Sequence, residues 1–336
     1  MTNFLENAFA ELQKAAERVV LREVRGEGFV SVSGRELLDV VARARAYFRQ
    51  AGVRPGDRCA LLGPNSIRWI AFDLALMAEG AIVVPLYSRQ APVELAGMMN
   101  DCGPRLLIVS EAELGEAVAA VWTEAPPRVT FDEVLAKVPA GKGIPSAPVS
   151  LRPEDLVTII YTSGTSGEPK GVCLNVRNLD HMLGCTDQRL DQLMGASREP
   201  DRVFHYLPFN FAGSWILLLT CMSRETVLTL STDLNRLADE IRIASPHYFL
   251  NVPTLLERVR RGVLEAIAKR DTAIQKIFQK AREAWEREQR DERRASDSIW
   301  LFLGRKLIFR KIRERFGPYL RALICGSAPL APETQQ

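Results

Sequence analysis

A chain of 336 residues, 47% hydrophobic and 25% charged, is long enough for two domains or one large one, and its ordinary globular composition excludes a disordered or fibrous protein. The 44 Lys/Arg against 41 Asp/Glu leave a formal charge of only +3, so a whole-surface basic field for nucleic acid is not expected. Six cysteines, no two closer than 12 residues, and three histidines supply no CxxC pair and no Cys/His metal set. The N-terminus lacks the form of a secretory signal, and no stretch reaches the roughly 18 apolar residues of a membrane span, so a reduced, cytoplasmic enzyme is the expected class.

In chain order, an amphipathic helix is expected over residues 4–20 and a short strand over 29–33. Ser33-Gly34-Arg35-Glu36 has capping-box form and opens a helix over 37–50, which Ala51-Gly52 and Pro55-Gly56 end. A buried strand (58–62) leads to a helix capped by Asn65 or Ser66 and running through Trp69, Phe72 and Met77 to Gly80. A strand (81–86), a helix (92–101) and a strand (105–109) follow, and residues 122–153 read as a surface excursion around one helix at 131–137. The strand 157–161 runs into a Gly/Ser/Thr loop. Helices are then expected at 176–194, 213–223, 232–244 and 253–268, and strands at 202–207, 225–230 and 247–250. Residues 270–315 read as charged helix before a last strand at 320–325. This alternation predicts an α/β fold of layered, parallel-rich sheets with flanking helices.

The segment Tyr161-Thr-Ser-Gly-Thr-Ser-Gly-Glu-Pro-Lys-Gly171 carries the chemistry. A strand ends in a loop whose glycines let backbone N–H groups face an anion, while Thr162, Ser163, Thr165 and Ser166 add hydroxyls and Lys170 a positive charge, a set that suits a polyphosphate. It is not the P-loop, because no Ser or Thr follows Lys170, and its glycine spacing is not that of the dinucleotide fingerprint. The bland alternative is a polar surface loop.

YTSGTSGEPKG resembles the phosphate-loop signature of the adenylate-forming (AMP-binding) superfamily, which includes acyl-CoA synthetases, aryl-CoA ligases, luciferases and peptide-synthetase adenylation domains. Residues 52–86, GVRPGDRCALLGPNSIRWIAFDLALMAEGAIVVPL, and the ending Cys325-Gly-Ser-Ala-Pro-Leu-Ala-Pro-Glu333 are similar to the same family, so the likeness covers about 25–336. It implies a carboxylate attacking the α-phosphate of ATP to give an acyl-adenylate and pyrophosphate, then transfer of the acyl group to a thiol, usually coenzyme A. It also implies site roles. Thr162, Ser163, Gly164, Thr165, Ser166 and Gly167 would wrap the β- and γ-phosphates, and Lys170 with Thr165 would act at the reacting phosphates. Gly326, Ser327, Ala328 and Pro329 would form the turn beside adenine and the acyl carbonyl. The implied domains are a first α/β subdomain over 1–160 and an incomplete second one over 161–336, with the small C-terminal domain absent.

Two stretches bear on the substrate. Leu207-Pro-Phe-Asn-Phe-Ala-Gly-Ser-Trp215 resembles the segment lining the acyl pocket, which would use Phe209, Phe211 and Trp215; Phe211 stands where relatives often carry His, and the alternative is that these aromatics are core. Residues 257–321 look like the helical insertion of long-chain fatty-acyl-CoA synthetases, the superfamily members this chain most resembles. They hold 19 Lys/Arg and 10 Asp/Glu, leaving 25 and 31 elsewhere, so peripheral contact with an anionic membrane is one reading and a solvated, ion-paired helix face the other. The Tyr-Gly-x-Thr-Glu motif that supplies the Mg2+ ligand, the ribose aspartate and the C-terminal lysine have no match in 1–336, so the main Mg2+ ligand is expected beyond residue 336 and little turnover is expected from these residues alone. An adenylating ligase for aryl, amino or other carboxylic acids and a non-catalytic nucleotide- or lipid-binding protein stand as alternatives.

Overall fold

The computed structural model describes every residue except 1, 123, 144–146, 163–168, 196–198, 327, 332, 333, 335 and 336, and the side chain of 311. The chain divides into two compact units, Met1–Leu234 and Asn235–Gln336.

The first unit opens with α1 (Phe4–Lys14), β1 (Val19–Arg25), β2 (Gly28–Ser33) and α2 (Gly34–Gln50). Asn3 caps α1 in a reciprocal box with Glu6, and Phe4 N–H donates to Asp180 Oδ1 at 2.7 Å. The expected helix over 4–20 stops at Lys14, because Val19-Val20-Leu21 is a β-branched apolar run that pairs with β2 instead. Ser33 and Glu36 form the predicted capping box. Gly34 is required where it stands, since a Cβ there would lie 2.2 Å from the Leu12 carbonyl oxygen.

The chain continues through β3 (Arg58–Leu62), α3 (Ile67–Ala78), β4 (Ile82–Leu86), α4 (Pro92–Cys102), β5 (Leu106–Val109), α5 (Ala112–Val121), β6 (Arg128–Thr130) and α6 (Phe131–Lys137). Of the two candidate caps of α3, Ser66 is the one used, accepting from Trp69 N–H at 3.1 Å. The segment 122–153 is more than a surface excursion: β6 pairs with β5, and Val129, Phe131, Val134 and Val138 are buried. Then come β7 (Leu156–Thr162), β8 (Lys170–Asn175), α7 (Val176–Met194), β9 (Asp201–His205), α8 (Ala212–Met222) and β10 (Thr226–Leu230).

These strands form two sheets. One runs β6-β5-β3-β4-β7-β8, parallel except for the antiparallel edge strand β8; in the other, β9, β10 and β1 are parallel and β2 is antiparallel. Apolar residues of β3, β4 and β5, among them Leu62, Val84 and Leu107, pack with Met98 and Met99 of α4 in one core. Across α2 and α3, Arg45 is buried and donates to Glu79 at 2.6 Å, and Arg49 meets the other oxygen of Glu79 at 2.5 Å.

The second unit holds α9 (Leu237–Ala244), after a short 3-10 turn, then β11 (Tyr248–Asn251), α10 (Pro253–Ala268), α11 (Thr272–Gln289), α12 (Asp297–Gly304), a π-helical turn at Arg305–Phe309, α13 (Arg310–Glu314) and β12 (Ala322–Cys325). β12 lies parallel to β11 with Tyr248 opposite Ala322 and Asn251 opposite Cys325. Among the described residues no helix is long and apolar enough to cross a membrane.

Candidate functional site

In the first unit the Gly/Ser/Thr loop connects two antiparallel strands. Thr162 ends β7 opposite Lys170, and Tyr161 lies opposite Gly171. The sequence reading contains no strand after the loop; β8 is an exposed edge strand without the burial pattern that reveals a strand, and it exists by pairing with β7. A Cβ on Gly171 would come within 2.8 Å of Ile159 Cγ2 and 3.3 Å of the Tyr161 ring, so glycine lets the stem close. The Tyr161 hydroxyl donates to Asp101 at 2.6 Å and fixes β7 to α4. Thr162 and Lys170 are exposed, while Ser163, Gly164, Thr165, Ser166 and Gly167 lie outside the described residues. Cys173 is exposed on β8, and Arg177 is exposed on α7 and paired with Glu154.

The segment after β9 is held by Asn65, whose amide donates to the Leu207 carbonyl at 2.7 Å and accepts from Phe209 N–H at 3.1 Å. Phe209 is buried, stacked on His205 at 4.9 Å and tilted by 32° against Trp69 at 5.0 Å. Burial pushes His205 down to about 4, against a smaller opposing effect of the Leu207 backbone. Phe211 is half-buried at the start of α8. Trp215 is fully enclosed and its indole N–H donates to Asp73 Oδ2 at 2.9 Å. The other Asp73 oxygen is buried without a hydrogen bond, and burial raises this carboxyl to about 7 although the Trp215 bond favours the ionised form.

A cavity of about 200 Å³ opens where β1, β3, β4 and β10 end, lined among others by Arg25, Asn65, Tyr87, Arg89, Tyr206 and Phe209. The C-terminal ends of parallel strands are where open α/β sheets receive ligands. Arg25, Tyr87 and Arg89 are absent from the residues picked from sequence; the signal that finds them is positional, since Arg25 ends β1 and Tyr87 and Arg89 lie within three residues of the end of β4. Of the three aromatics expected at the acyl pocket, this cavity receives Phe209.

In the second unit Gly326 follows β12 and its N–H donates to the Asn251 carbonyl at 3.2 Å. Ala328 and Pro329 are exposed, and Ser327 lies outside the described residues. Next to this turn an open, mostly apolar cavity of about 700 Å³ is lined by Val259, Val263, Phe278, Trp285, Phe309 and Cys325, with further residues of the same elements. Cavities of roughly 300–1,000 Å³ with apolar walls and few polar groups are the usual form of small-molecule sites. Among the described residues no group of three or more His, Cys, Asp or Glu could hold a metal ion.

Comparison with known proteins gives the fold its relatives. The family model described as AMP-binding enzyme matches residues 9–336. Long chain acyl-CoA synthetase 2 of Arabidopsis thaliana is 26% identical over 344 residues, covering 91% of this chain and 49% of that protein. The chain spans about half the length of the curated relatives it matches. Among solved structures, the inhibitor-bound N-terminal domain of FACL13 from Mycobacterium tuberculosis has a TM-score of 0.70 at 19% identity, over 99% of this chain and 72% of that one. The Klebsiella oxytoca NpsA N-terminal subdomain in complex with 3-hydroxybenzoyl-AMSN has a TM-score of 0.64 at 22% identity, over 77% of this chain and 62% of that one. These structural likenesses establish the α/β architecture of layered, parallel-rich sheets. The extent of the family match, nearly the whole chain, establishes the rest: this chain belongs to the AMP-binding enzyme family, the adenylate-forming enzymes.

Proposed function

We propose that the chain carries the acid-activating part of an ATP-dependent ligase that converts a long-chain fatty acid to an acyl-adenylate and then to a coenzyme A thioester. The observation that carries this reading is the apolar cavity of about 700 Å³ beside Cys325, at the strand end that leads into Gly326–Pro329. Its walls offer Val259, Val263, Phe278, Trp285 and Phe309 to an alkyl chain, which gains about 0.8 kcal/mol per buried methylene. Similarity to a long chain acyl-CoA synthetase supports the same class.

In this reading the loop from Thr162 to Gly167 holds the β- and γ-phosphates, and Lys170 at the head of β8 offsets charge on the departing pyrophosphate. A substrate carboxylate oxygen bonds to the α-phosphorus as the bond to pyrophosphate breaks, so positioning and charge balance carry most of the rate. A thiolate then attacks the acyl carbonyl and AMP leaves. The role of Gly326, Ser327, Ala328 and Pro329 is to border the acyl carbonyl and adenine. The two-part division into 1–160 and 161–336 stays part of this proposal, with the phosphate loop opening the second part.

An aryl acid is the second reading, favoured by the likeness to NpsA in complex with 3-hydroxybenzoyl-AMSN. Acid-dependent ATP–pyrophosphate exchange separates the readings. It is run on this chain and on the longest chain its gene encodes, with acetate through octadecanoate and with benzoate. Exchange confined to the long acids supports the fatty-acid ligase. Best exchange with benzoate moves the assignment to aryl acids, and none from well-folded protein moves it to a binding-only role.

A further inference from the structure

The cavity of about 700 Å³ is apolar along most of its wall, and its charged lining residues are Arg260 from α10 with Arg282 and Glu286 from α11. Two of the three neutralise each other, since Arg282 Nε lies 3.2 Å from Glu286 Oε1. Arg260 is the third, and it has no ion pair or hydrogen bond among the described residues. Glu257, three residues before it on α10, is exposed and forms no ion pair with it. The lining therefore carries one positive charge that the protein does not balance.

The setting of Arg260 differs from that of its basic neighbours. Arg258 and Arg261 on the same helix are exposed, whereas Arg260 is half-buried. Leu256 stands four residues before it and Val263 and Leu264 three and four after it, so all three share its helix face and line the cavity with it. Water solvates the guanidinium while the cavity is open. An alkyl chain that fills the cavity displaces that water, and a charge so enclosed costs free energy unless an anion meets it. The reacting carboxylate of an acid is not that anion. Its place in the reading above is the Gly326 turn, where Gly326 N–H donates to the Asn251 carbonyl two residues before α10 starts at Pro253. Arg260 lies seven residues beyond Pro253, about 10 Å of helical rise.

We propose that the cavity selects a long-chain dicarboxylic acid, one carboxylate being activated beside Gly326 while the second, at the far end of the alkyl chain, pairs with Arg260. The fork of a guanidinium matches a carboxylate with two parallel N–H···O bonds, which fixes the far end of the chain as well as balancing its charge. A plain fatty acid covers the same apolar wall and leaves the guanidinium enclosed without a partner. Arg260 is thus a specificity residue that stands apart from the reacting atoms. The assignment rests on the acid-activating reading proposed above and narrows its substrate class.

Titration calorimetry on this chain tests it, with hexadecanoate, hexadecanedioate and the monomethyl ester of hexadecanedioate. The diacid is expected to bind roughly 10- to 100-fold more tightly than the other two, the span of a hydrogen bond between charged groups. Arg260→Leu should reverse the order, weakening the diacid and tightening hexadecanoate, because its wall is apolar throughout. Arg260→Gln keeps a polar side chain and should also lose the preference, so the test stands if the leucine variant does not fold; circular dichroism checks both. Arg260→Lys should keep a reduced preference, since an ammonium retains the charge without the fork. Equal affinity of wild type for hexadecanoate and the diacid overturns the assignment and leaves the fatty-acid reading in place. An ester that binds as tightly as the diacid also overturns it, because the far charge is then not read. So does a folded Arg260→Leu that loses both acids alike, which makes the residue structural. No binding of any of the three by folded wild type overturns this assignment and the acid-activating reading together.

Discussion

Asp73 and His205 are both sealed inside the first unit, and burial moves them in opposite directions. The carboxyl rises from an ordinary 3.8 to about 7, so the folded chain keeps a proton that the unfolded chain releases; this stabilisation is complete at low pH and is lost as pH climbs from 4 to 7. The imidazole falls from 6.5 to about 4, so its contribution is complete above 6.5 and is lost as pH falls toward 4. Each has a limiting slope of about 1.4 kcal/mol per pH unit, and over most of this window the two nearly cancel. Asp73→Asn keeps an acceptor for the Trp215 indole but no longer titrates. Its stability in urea should therefore rise more steeply with pH between 4 and 6.5 than that of wild type. Equal slopes for the two proteins would show that Asp73 does not hold its proton. Trp215→Phe removes the indole hydrogen bond to Asp73 Oδ2, the only one to either Asp73 oxygen among the described residues, and should cost about 1–3 kcal/mol in the same measurement.

Elements are joined here by contacts that leave little room for variation. Gly34→Ala would place a methyl 2.2 Å from the Leu12 carbonyl and 2.7 Å from that of Ala15, so α1 must move away from α2; a loss of about 2 kcal/mol is expected in thermal or urea unfolding. Glu79→Gln takes the carboxylate from buried Arg45 and should cost about 3–5 kcal/mol, more than any exposed ion pair of this unit. Most elements were legible in the sequence because their signals are local: the Ser33 box starts α2, Thr130 and Glu133 start α6, and α7 and α10 run where their periodicity places them. The failures share a cause. β1, β6 and β8 are strands fixed by pairing, β1 with β2 and β10, β6 with β5 and β8 with β7, and their own residues carry no clean alternation. The short helix α5 has no counterpart in the sequence reading, which passes from the strand at 105–109 to the stretch at 122–153. Of the candidate site, the Thr162–Lys170 stem is readable as a motif, whereas Arg25 and Arg89 meet only when strands distant in sequence end at the same cavity.

Burial is distributed very unevenly over the whole molecule. In α3, 11 of 12 residues are buried, whereas α10 buries only Pro253 and α11 only Ala281 and Ala284. Amides of β3, β4 and α3 should therefore exchange with solvent only through global opening, while those of α10 and α11 exchange at least roughly tenfold faster through local opening. The same contrast tests the assigned substrate without requiring turnover. The walls of the larger cavity come chiefly from α10 and α11, so an alkyl chain seated among Val259, Val263, Phe278 and Trp285 supplies the apolar contacts that those helices lack. Hexadecanoate, added well above its dissociation constant, should slow exchange in α10 and α11 and leave β3 and β4 unchanged, since a ligand protects the openings that release it. Benzoate is too short to span both helices and should protect neither to the same extent. Protection of β3 and β4 together with α10 and α11 would mean that the acid stabilises the chain as a whole from another site. Protection by benzoate equal to that by hexadecanoate would place the aryl acid, rather than the fatty acid, in the cavity.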